Sequence, residues 1–523
     1  MLALVMFLNG LAIMVLEMVG ARLLAPELGT STVVWTSLIG VILASLSAGY
    51  WFGGKLADAF LAGDGNPAEA RRRDRAHAVL ALILLAASCS VLFTALVHNA
   101  VLRQLSQAPL SLYSAALCAA VLLFALPGVL CGMVSPYATR LAITSSETSG
   151  SVIGRLNAIS TVGSIAGAFL GGFVLISWFG SREITLAVAA CLLLASVLVR
   201  VRPLLPRIFL ALVLAGLGTS AHFDRLNAEG EALAFTLETP YSSIRILTQP
   251  YLGRTARLLL TNPGSCQSGC YLDQPEDLIF EYTRFYALGP YLNPKASRIL
   301  MLGGGGYSIP KWMLAGKSAL ASAEFALDVV ELDPGMTRAA EDYFFLPPKD
   351  PRLRIFHEDA RRFLNRAAQT MAEGKNPDGA YQLIFVDVFN SFYSVPFHVG
   401  TREAAREMHA LLTDDGMLIL NVISALEGDG GRLFRSILQA FAAVFPEIRV
   451  FAVSAPYHGA EVQNIILLAF KTPRPLPDLN DPAVPEAIAS LLRRQWQRPI
   501  ASDCPALTDN YAPVERYALS LTR

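Results

Sequence analysis

Seven long apolar segments occupy the first 222 residues, and they constrain the fold more than any other feature of the sequence. Most of them approach the roughly 20 apolar residues that an α-helix needs to cross a bilayer. The segments are Leu2–Leu24, Val33–Gly54, Ala76–Val97, Leu110–Tyr137, Ile159–Trp178, Ile184–Val199 and Leu204–Ala221. Charged residues make up only 16% of the chain, against roughly 25% in soluble globular proteins. The sequence therefore predicts a multi-pass α-helical membrane bundle over residues 1–222.

The basic residues of this region indicate its orientation. The first segment has no basic region before it and no small-residue cleavage site, so we expect a retained span and not a signal peptide. Alternate connections are rich in arginine and lysine, and the positive-inside rule places these connections and the N-terminus in the cytoplasm. The basic residues of these connections are Lys55, Arg71, Arg72, Arg73, Arg75, Arg140, Arg155, Arg200, Arg202 and Arg207. Seven crossings would leave the remaining chain outside the cytoplasm. Because Pro206 and Arg207 shorten the seventh apolar run, we favour a last segment that does not fully cross.

The rest of the chain has the mixed composition of a soluble protein. Short strands broken by Pro and Gly predict a small β-domain over residues 223–295. These strands are Ala234–Thr236, Ser243–Thr248 and Arg257–Leu260. From residue 296 onward, strands alternate with helices, which is typical of an α/β doubly wound parallel sheet. The strands are Ile299–Leu302, Leu327–Val330, Leu353–Phe356, Leu383–Val386 and Met417–Val422.

Glycine or an acid follows four consecutive strands of the predicted sheet. The first strand ends in Gly303, Gly304, Gly305 and Gly306, which allow a ligand to approach the backbone closely. The next three lead to Glu331 and Asp333, to Asp359 and Ala360, and to Asp387. Doubly wound sheets bind ligands at the carboxyl ends of their strands. Any one of these acids could merely cap a helix, but the set indicates a nucleotide site.

The kind of nucleotide follows from what the glycine loop lacks. A G-x-G-x-x-G motif with the spacing that binds a pyrophosphate is not present, which disfavours NAD. An adenosyl sulfonium compound needs no phosphate cradle and fits this edge better.

Together these residues resemble the spermidine synthase family, over about Glu238 to Phe470. The motifs that carry the resemblance are Leu302–Gly306, Val330–Asp333, His357–Ala360 and Ile384–Asp387, with further similarity at Gln267, Tyr282 and Pro456–Gly459. The whole layout resembles the membrane-fused bacterial branch of the family, including Glu17–Arg22 and the tail Leu507–Pro513. The resemblance implies a class I methyltransferase-like Rossmann fold, a gate loop for the substrate in residues 223–295, and a location in the bacterial inner membrane.

The activity that the resemblance implies is transfer of an aminopropyl group from decarboxylated S-adenosylmethionine to a small amine, without a metal. Asp387 would orient the amine and accept its proton. Donor-binding roles would fall to Gly303, Gly304, Gly305, Gly306, Glu331, Asp333, Asp359 and Ala360, with Glu331 on the ribose and Asp359 on the adenine. Acceptor-binding roles would fall to Gln267, Tyr282, Asn390 and Tyr457.

Two residues depart from the family pattern. The soluble members have Asp where this chain has Gly306, and that carboxylate pairs with the amine of the donor. They have a second Asp where this chain has Asn390, which helps to hold the far ammonium of a diamine. Each missing anion would cost roughly 1.5–3 kcal/mol of charge-assisted hydrogen bonding, which weakens the case for putrescine and for the decarboxylated donor.

Two other functions remain open at this point. A methyltransferase that uses intact S-adenosylmethionine shares the sheet and needs no acid at Gly306. A non-catalytic sensing or transport-coupled membrane protein would account for Glu17 inside an apolar segment. The net charge of zero gives no support for a nucleic-acid partner. A homodimer stays open, as does the choice between a disulfide and two free thiols for Cys266 and Cys270 in a Gly/Ser-rich loop.

Overall fold

A computed structural model of the chain describes residues 1–29, 31–61, 69–143, 149–200, 204–227, 234–239, 241–262, 265–322, 324–375, 379–388, 396–454 and 457–518. The chain divides into two compact units, Met1–Glu231 and Ala232–Arg523. The finer division at residues 222 and 295 stays a prediction.

The first unit consists of helices. They are α1 (Leu2–Leu28), α2 (Thr32–Leu61), α3 (Glu69–Gln107), α4 (Leu112–Ala142), α5 (Ser149–Phe169), α6 (Ile176–Trp178), α7 (Ser181–Val199) and α8 (Leu204–Asn227), with a π-helical turn at Leu170–Leu175. Within the described residues, six spans are long and apolar enough to cross a membrane. They are Leu2–Ala25, Thr32–Leu61, Arg71–Leu105, Leu112–Ala142, Ser149–Leu175 and Ser181–Val199.

The seventh predicted segment forms helix α8 but is short. Its apolar part, Leu204–Leu217, falls below the length that qualifies the other six. At 1.5 Å per residue it extends about 21 Å, whereas the hydrocarbon core is about 30 Å thick. Of the seven predicted apolar segments, six therefore form spans of sufficient length in the described residues, and the seventh forms a shorter apolar helix.

Glycines allow the helices of this unit to pack with their backbones in contact. A Cβ atom on Gly163 would lie 2.1 Å from the carbonyl oxygen of Phe7, and one on Gly167 would lie 2.5 Å from that of Leu11. Both glycines belong to α5 and both carbonyls to α1. Any larger residue at these two positions would therefore force the two helices apart. Small residues allow this kind of close helix packing in membrane bundles.

The second unit begins with a four-stranded antiparallel sheet in the order β1-β2-β3-β4. Its strands are β1 (Ala234–Glu238), β2 (Ser243–Tyr251), β3 (Arg254–Asn262) and β4 (Ser265–Tyr271). One apolar cluster joins Ile244, Ile246 and Leu259 of this sheet to Met336 and Phe344. This contact holds the small sheet beside the ligand-binding edge of the larger one.

Strand β4 replaces the loop that the Gly/Ser-rich composition suggested. It carries Cys266, which is exposed, and Cys270, which is buried, and both thiols are free. Four residues of strand span about 13 Å, whereas the Cα atoms of a disulfide lie within about 7 Å of each other. The extended backbone therefore excludes a bond between these two cysteines.

The larger sheet has seven strands in the order β10-β11-β9-β8-β5-β6-β7. Its strands are β5 (Arg298–Leu302), β6 (Ala326–Val330), β7 (Leu353–Phe356), β8 (Tyr381–Val386), β9 (Leu412–Ser424), β10 (Glu447–Ala452) and β11 (Gln463–Phe470). Strands β5 to β9 pair in parallel, and β11 pairs antiparallel with both β9 and β10. The order reverses beside β5, where doubly wound sheets bind their ligands.

Short helices cover the two faces of this sheet. They are α9 (Glu281–Arg284), α10 (Leu288–Leu292), α11 (Ser308–Leu314), α12 (Pro334–Tyr343), α13 (Ala360–Ala372), α14 (Arg402–Leu411), α15 (Arg432–Ala442), α16 (Glu486–Leu492) and α17 (Val514–Ala518). The central strands are almost continuously apolar because both of their faces are buried. The predicted fold class, a helical membrane-type bundle followed by a small β-domain and a Rossmann-like sheet, is confirmed.

Candidate active site

The glycine loop after β5 lies directly against the end of β8. A Cβ atom on Gly303, where φ is +91°, would lie 2.2 Å from the carbonyl oxygen of Asp387. The backbone N–H of Asp387 donates to the carbonyl of Leu302 at 2.9 Å. Only glycine satisfies both the left-handed conformation and this close approach. The loop and Asp387 are thereby fixed relative to each other.

The Tyr307 ring packs against Gly304 of the glycine loop, and the sequence pattern did not predict this contact. Its backbone adopts a left-handed conformation at φ +54°, and its ring lies where a Cβ atom on Gly304 would come within 2.6 Å. Its hydroxyl lies 2.6 Å from the Thr337 hydroxyl of α12. A buried tyrosine in this rare conformation indicates that the surrounding packing holds the loop in one shape.

Glu331, at the end of β6, binds the glycine loop. It is 9% exposed, and one carboxylate oxygen accepts the N–H groups of Gly304 at 2.8 Å and Gly305 at 3.3 Å. The other oxygen accepts the N–H of Asp333 at 2.9 Å. Burial raises the pKa of Glu331, while these three N–H groups oppose the rise. Since a carboxylate offers about four acceptor positions, about one remains for a further hydrogen-bond donor.

Asp333 and Asp359 both cap helices. The Asp333 carboxylate accepts the N–H of Gly335 at the start of α12 and the hydroxyls of Thr239 and Ser242, which lie between β1 and β2 of the small sheet. These contacts make it a link between the two sheets. The Asp359 carboxylate accepts the N–H of Arg362 at 3.0 Å at the start of α13.

Asp359 also faces the segment before α14 and keeps an accessible surface. Its second oxygen lies 3.2 Å from Nε2 of His398, and its side chain is 41% exposed. Ala360 follows as the first residue of α13 and is half-buried. The partly exposed Asp359 carboxylate thus lies at the N-terminus of α13, beside Ala360.

Asp387 is the centre of a hydrogen-bond network at the end of β8. One carboxylate oxygen accepts from the Asn421 amide at 3.0 Å, and the other accepts from the Tyr282 hydroxyl at 3.2 Å. The Asn464 amide in turn donates to the Asn421 oxygen at 3.0 Å. Burial raises the pKa of Asp387, and the hydrogen bonds from Asn421 and Tyr282 oppose the rise.

The neighbours of Asp387 are neutral at physiological pH. Burial first, and the Asp387 charge second, raise the pKa of Tyr282 and Tyr286 well above the ordinary tyrosine value. Tyr286 donates its hydroxyl to the carbonyl of Val386 at 2.9 Å. Both phenols therefore stay protonated and act as donors, and Tyr282 and Asn421 together fix the orientation of the half-buried Asp387 carboxylate.

The remaining predicted residues have different positions. Tyr282 lies in α9 and contacts Asp387 directly. Gln267 lies half-buried on β4, and Tyr457 has a side chain that is largely exposed at 84%. Asn390 lies outside the described residues. Sequence reasoning missed Asn421 and Asn464, although each is a polar residue within an apolar strand, and that pattern could have singled them out.

Gly306 packs against the small sheet. A Cβ atom at this position would lie 2.5 Å from the hydroxyl oxygen of Ser268 and 2.9 Å from its Cβ. The Ser268 hydroxyl lies 3.1 Å from that of Ser308, which donates to the carbonyl of Gly269 at 3.2 Å. An aspartate at position 306 would therefore require Ser268 to move, and uncharged groups occupy this part of the edge.

Potential metal ligands do not cluster in the described part of the chain. Among the residues that the structure describes, no group of three or more His, Cys, Asp or Glu side chains could hold an ion. The geometry defines an α/β domain of the class I methyltransferase-like Rossmann type, with a glycine loop and three acids near the carboxyl edge of its sheet, beside the Asp387 carboxylate.

Comparison with known proteins gives the family. No family model matches the chain. The polyamine aminopropyltransferase of Vibrio vulnificus is 32% identical over 231 residues, which cover 43% of this chain and 67% of that protein. An N-terminal histidine N-methyltransferase of Emericella nidulans is 27% identical over 184 residues, 35% of this chain and 30% of that protein. A solved probable spermidine synthase of Corynebacterium glutamicum is 23% identical with a TM-score of 0.42, covering 54% of this chain and 99% of that one.

The match to the Vibrio vulnificus protein spans two thirds of that protein. The chain therefore belongs to the polyamine aminopropyltransferase family, and it is a transferase.

Proposed function

We propose that this protein is a membrane-bound aminopropyltransferase that joins the aminopropyl group of decarboxylated S-adenosylmethionine to the nitrogen of a small amine. The observation that carries the proposal is the half-buried Asp387 carboxylate, oriented by Tyr282 and Asn421 beside the glycine loop. The finer assignments below, including every residue role, belong to the proposal.

Asp387 would act on the nucleophile. An amine with a typical pKa of about 10 is protonated at neutral pH, so the acceptor arrives as an ammonium ion and binds a carboxylate favourably. Asp387 then takes one of its protons, and the free electron pair attacks carbon. Since burial raises the pKa of Asp387, the carboxylate is a stronger base than an exposed aspartate. Tyr282 and Asn421 hold it in the orientation that this transfer needs.

The edge residues would hold the donor. Its sulfonium makes the adjacent carbon electrophilic, so the C–S bond breaks as the new N–C bond forms and the sulfur leaves as a neutral thioether. The glycine loop lets the backbone approach the donor, and Glu331 has about one acceptor position left for a ribose hydroxyl. Asp359 would accept from the adenine amino group.

The membrane assignment rests on the helices of the first unit. Six crossings that start in the cytoplasm return the chain to the cytoplasm. The short apolar part of α8 supports a helix that does not cross. This arrangement would put the catalytic unit in the cytoplasm, where adenosyl donors are available, and would avoid the conflict that seven crossings create.

A second candidate is a methyltransferase that uses intact S-adenosylmethionine. The contact between Gly306 and Ser268 favours it, because that part of the edge carries no anion to repel the carboxylate of the intact donor. The chemistry at the sulfonium would be the same, with a methyl carbon as the electrophile.

The products separate the two candidates. Full-length protein purified in detergent would be incubated with an amine and with each donor, and the products identified by mass spectrometry. Aminopropyl transfer yields 5′-methylthioadenosine and an amine extended by the aminopropyl group. Methyl transfer yields S-adenosylhomocysteine and a methylated amine, and that result would replace the proposal. Binding of neither donor would favour a sensing or transport role.

A further inference from the structure

We infer that Asp509 is a positioning residue, which holds the Asp359 carboxylate in place for the adenine of the donor. The inference rests on the proposed function, in which Asp359 accepts a hydrogen bond from the adenine amino group. Residues 507–513 carry part of the family resemblance, and the proposed mechanism gives them no role. The contacts of Asp509 supply one.

Asp509 joins two helices beside the carboxyl edge of the larger sheet. Its carboxylate accepts two hydrogen bonds from the Arg361 guanidinium of α13, at 2.9 and 3.0 Å. It also accepts the hydroxyl of Thr401, the residue before α14, at 2.8 Å. The Arg361 side chain is only 12% exposed, and Thr401 is fully buried. Because an arginine–carboxylate pair with two parallel bonds has a defined geometry, Asp509 fixes the starts of α13 and α14 relative to each other.

The same cluster fixes the segment that faces Asp359. Arg361 also donates to the backbone carbonyl of His398 at 2.9 Å. Nε2 of His398 in turn lies 3.2 Å from one oxygen of Asp359, whose other oxygen accepts the N–H of Arg362. Asp509 therefore acts on Asp359 through Arg361 and His398.

Asp359 needs this support because its side chain is 41% exposed. Ordering a mobile side chain when a ligand binds costs conformational entropy. Contacts that restrict the carboxylate beforehand lower that cost and keep its oxygens in the productive geometry. A carboxylate offers about four acceptor positions, so the contacts with Arg362 and His398 leave room for the adenine amino group.

Residues 507–513 hold Asp509 in a closed turn. Leu507 is fully buried, and its carbonyl accepts the N–H of the first residue of α14 at 2.9 Å. Thr508 and Tyr511 exchange backbone hydrogen bonds of 3.0 and 3.1 Å on either side of Asp509. The turn therefore presents the Asp509 carboxylate to Arg361 in a fixed direction.

A second ion pair provides a matched control. Asp503 lies, like Asp509, between α16 and α17, and it accepts two bonds from Arg435 of α15 at 2.6 and 3.0 Å. The Asp503 and Asp509 side chains are 55% and 45% exposed. Arg435 donates further to the carbonyls of Leu426 and Gly428, which follow β9 and not β7. Loss of either pair should therefore affect stability similarly, whereas only Asp509 is connected to Asp359.

Two nucleosides test the inference. 5′-Methylthioadenosine and its analogue with purine in place of adenine differ only in the amino group that Asp359 would contact. Each would be titrated by calorimetry into full-length wild type, Asp509→Asn and Asp503→Asn, which requires no turnover. Glu407 also pairs with Arg361 at 3.0 Å, so Asp509→Asn does not leave this arginine without a carboxylate.

The measured quantity is the preference for adenine over purine. In wild type and Asp503→Asn we expect about 10- to 100-fold tighter binding of the adenine compound, the effect of one charge-assisted hydrogen bond, and in Asp509→Asn only about 1- to 10-fold. A general loss of stability would not change this ratio, because the ratio measures the coupling between the amino group and Asp509.

Three results would overturn the inference. They are an undiminished preference in Asp509→Asn, an equal loss of preference in Asp503→Asn, and a wild type that does not distinguish the two nucleosides. The proposed function is tested separately by the products of turnover. A wild type that distinguishes the nucleosides and depends on Asp509 to do so, but transfers no aminopropyl group, would support the inference and refute only the proposed chemistry.

Discussion

Replacing Tyr282 by phenylalanine tests how Asp387 is prepared for catalysis. The change removes one hydroxyl and leaves the ring, which stacks on Phe280 with 6.2 Å between centroids. It deletes the 3.2 Å hydrogen bond to one oxygen of Asp387 and leaves the Asn421 bond to the other oxygen intact. The carboxylate then keeps one of its two orienting contacts.

The loss of one hydrogen bond to the Asp387 carboxylate determines how far kcat should fall. A hydrogen bond to a charged group contributes about 1.5–3 kcal/mol, and about 1.4 kcal/mol corresponds to a tenfold change in rate. We therefore expect kcat for Tyr282→Phe to fall by about 10- to 100-fold. The hydroxyl also lowers the pKa of Asp387, so its loss raises that pKa. Because a base acts when deprotonated, the acidic limb of the kcat profile should move to higher pH.

Tyr286→Phe is the matched control for this experiment. Tyr286 is fully buried, and its hydroxyl donates to the Val386 carbonyl and not to the Asp387 carboxylate. Steady-state kcat between pH 5 and 9 and donor affinity would be measured for both variants. Donor affinity should be unchanged in both, and the acidic limb should move only in Tyr282→Phe. Full activity with an unmoved limb in Tyr282→Phe, or an equal movement in Tyr286→Phe, would refute the reasoning.

The remaining predictions concern Asp387, Glu331 and the membrane unit. Burial raises the pKa of Asp387, so wild type loses stability as pH rises from the unfolded-state pKa of this carboxyl through its folded-state pKa. The melting temperature of Asp387→Asn, relative to that of wild type, should therefore be higher at pH 8 than at pH 4. A difference that does not change with pH would contradict this. Glu331→Gln keeps one acceptor oxygen but turns an NH₂ group toward backbone N–H groups that the carboxylate now accepts. The affinity for the adenosyl donor, measured by calorimetry, should therefore fall by about 10- to 100-fold. Unchanged affinity would remove Glu331 from the donor site. A C-terminal fluorescent reporter should be active in the cytoplasm, whereas an active periplasmic reporter would require an odd number of crossings.

Local sequence patterns predicted much of the fold. The apolar segments gave the helices of the first unit, and the apolar runs at Ile299–Leu302 and Leu383–Val386 match β5 and β8 closely. These patterns succeed because burial on both faces of a central parallel strand demands continuous apolar sequence. The same logic fails at β4, whose Ser, Gly and Cys composition resembles a loop but which pairs with β3.

The site could be predicted only in part. The pattern of acids at strand ends predicted that Asp387 and Glu331 lie near each other, because parallel strands bring their carboxyl ends to one edge, and the structure places both beside the glycine loop. The partners of Asp387 come from other parts of the chain, and nothing local in the sequence pairs Asn421 with it. The left-handed backbone conformation of Tyr307 could not be predicted either, since it depends on packing around Thr337 and not on the residues beside Tyr307 in the sequence.

The central claim is that Asp387 is the base in aminopropyl transfer, and a single-turnover experiment on Asp387→Asn tests it most directly. Full-length wild type and variant would be mixed with decarboxylated S-adenosylmethionine and a small amine that the wild type uses, and formation of 5′-methylthioadenosine followed in time. Loss of a general base commonly lowers the rate by about 10²–10⁴-fold, and we expect this loss with donor affinity nearly unchanged. A folded, donor-binding variant that turns over at the wild-type rate would contradict the account.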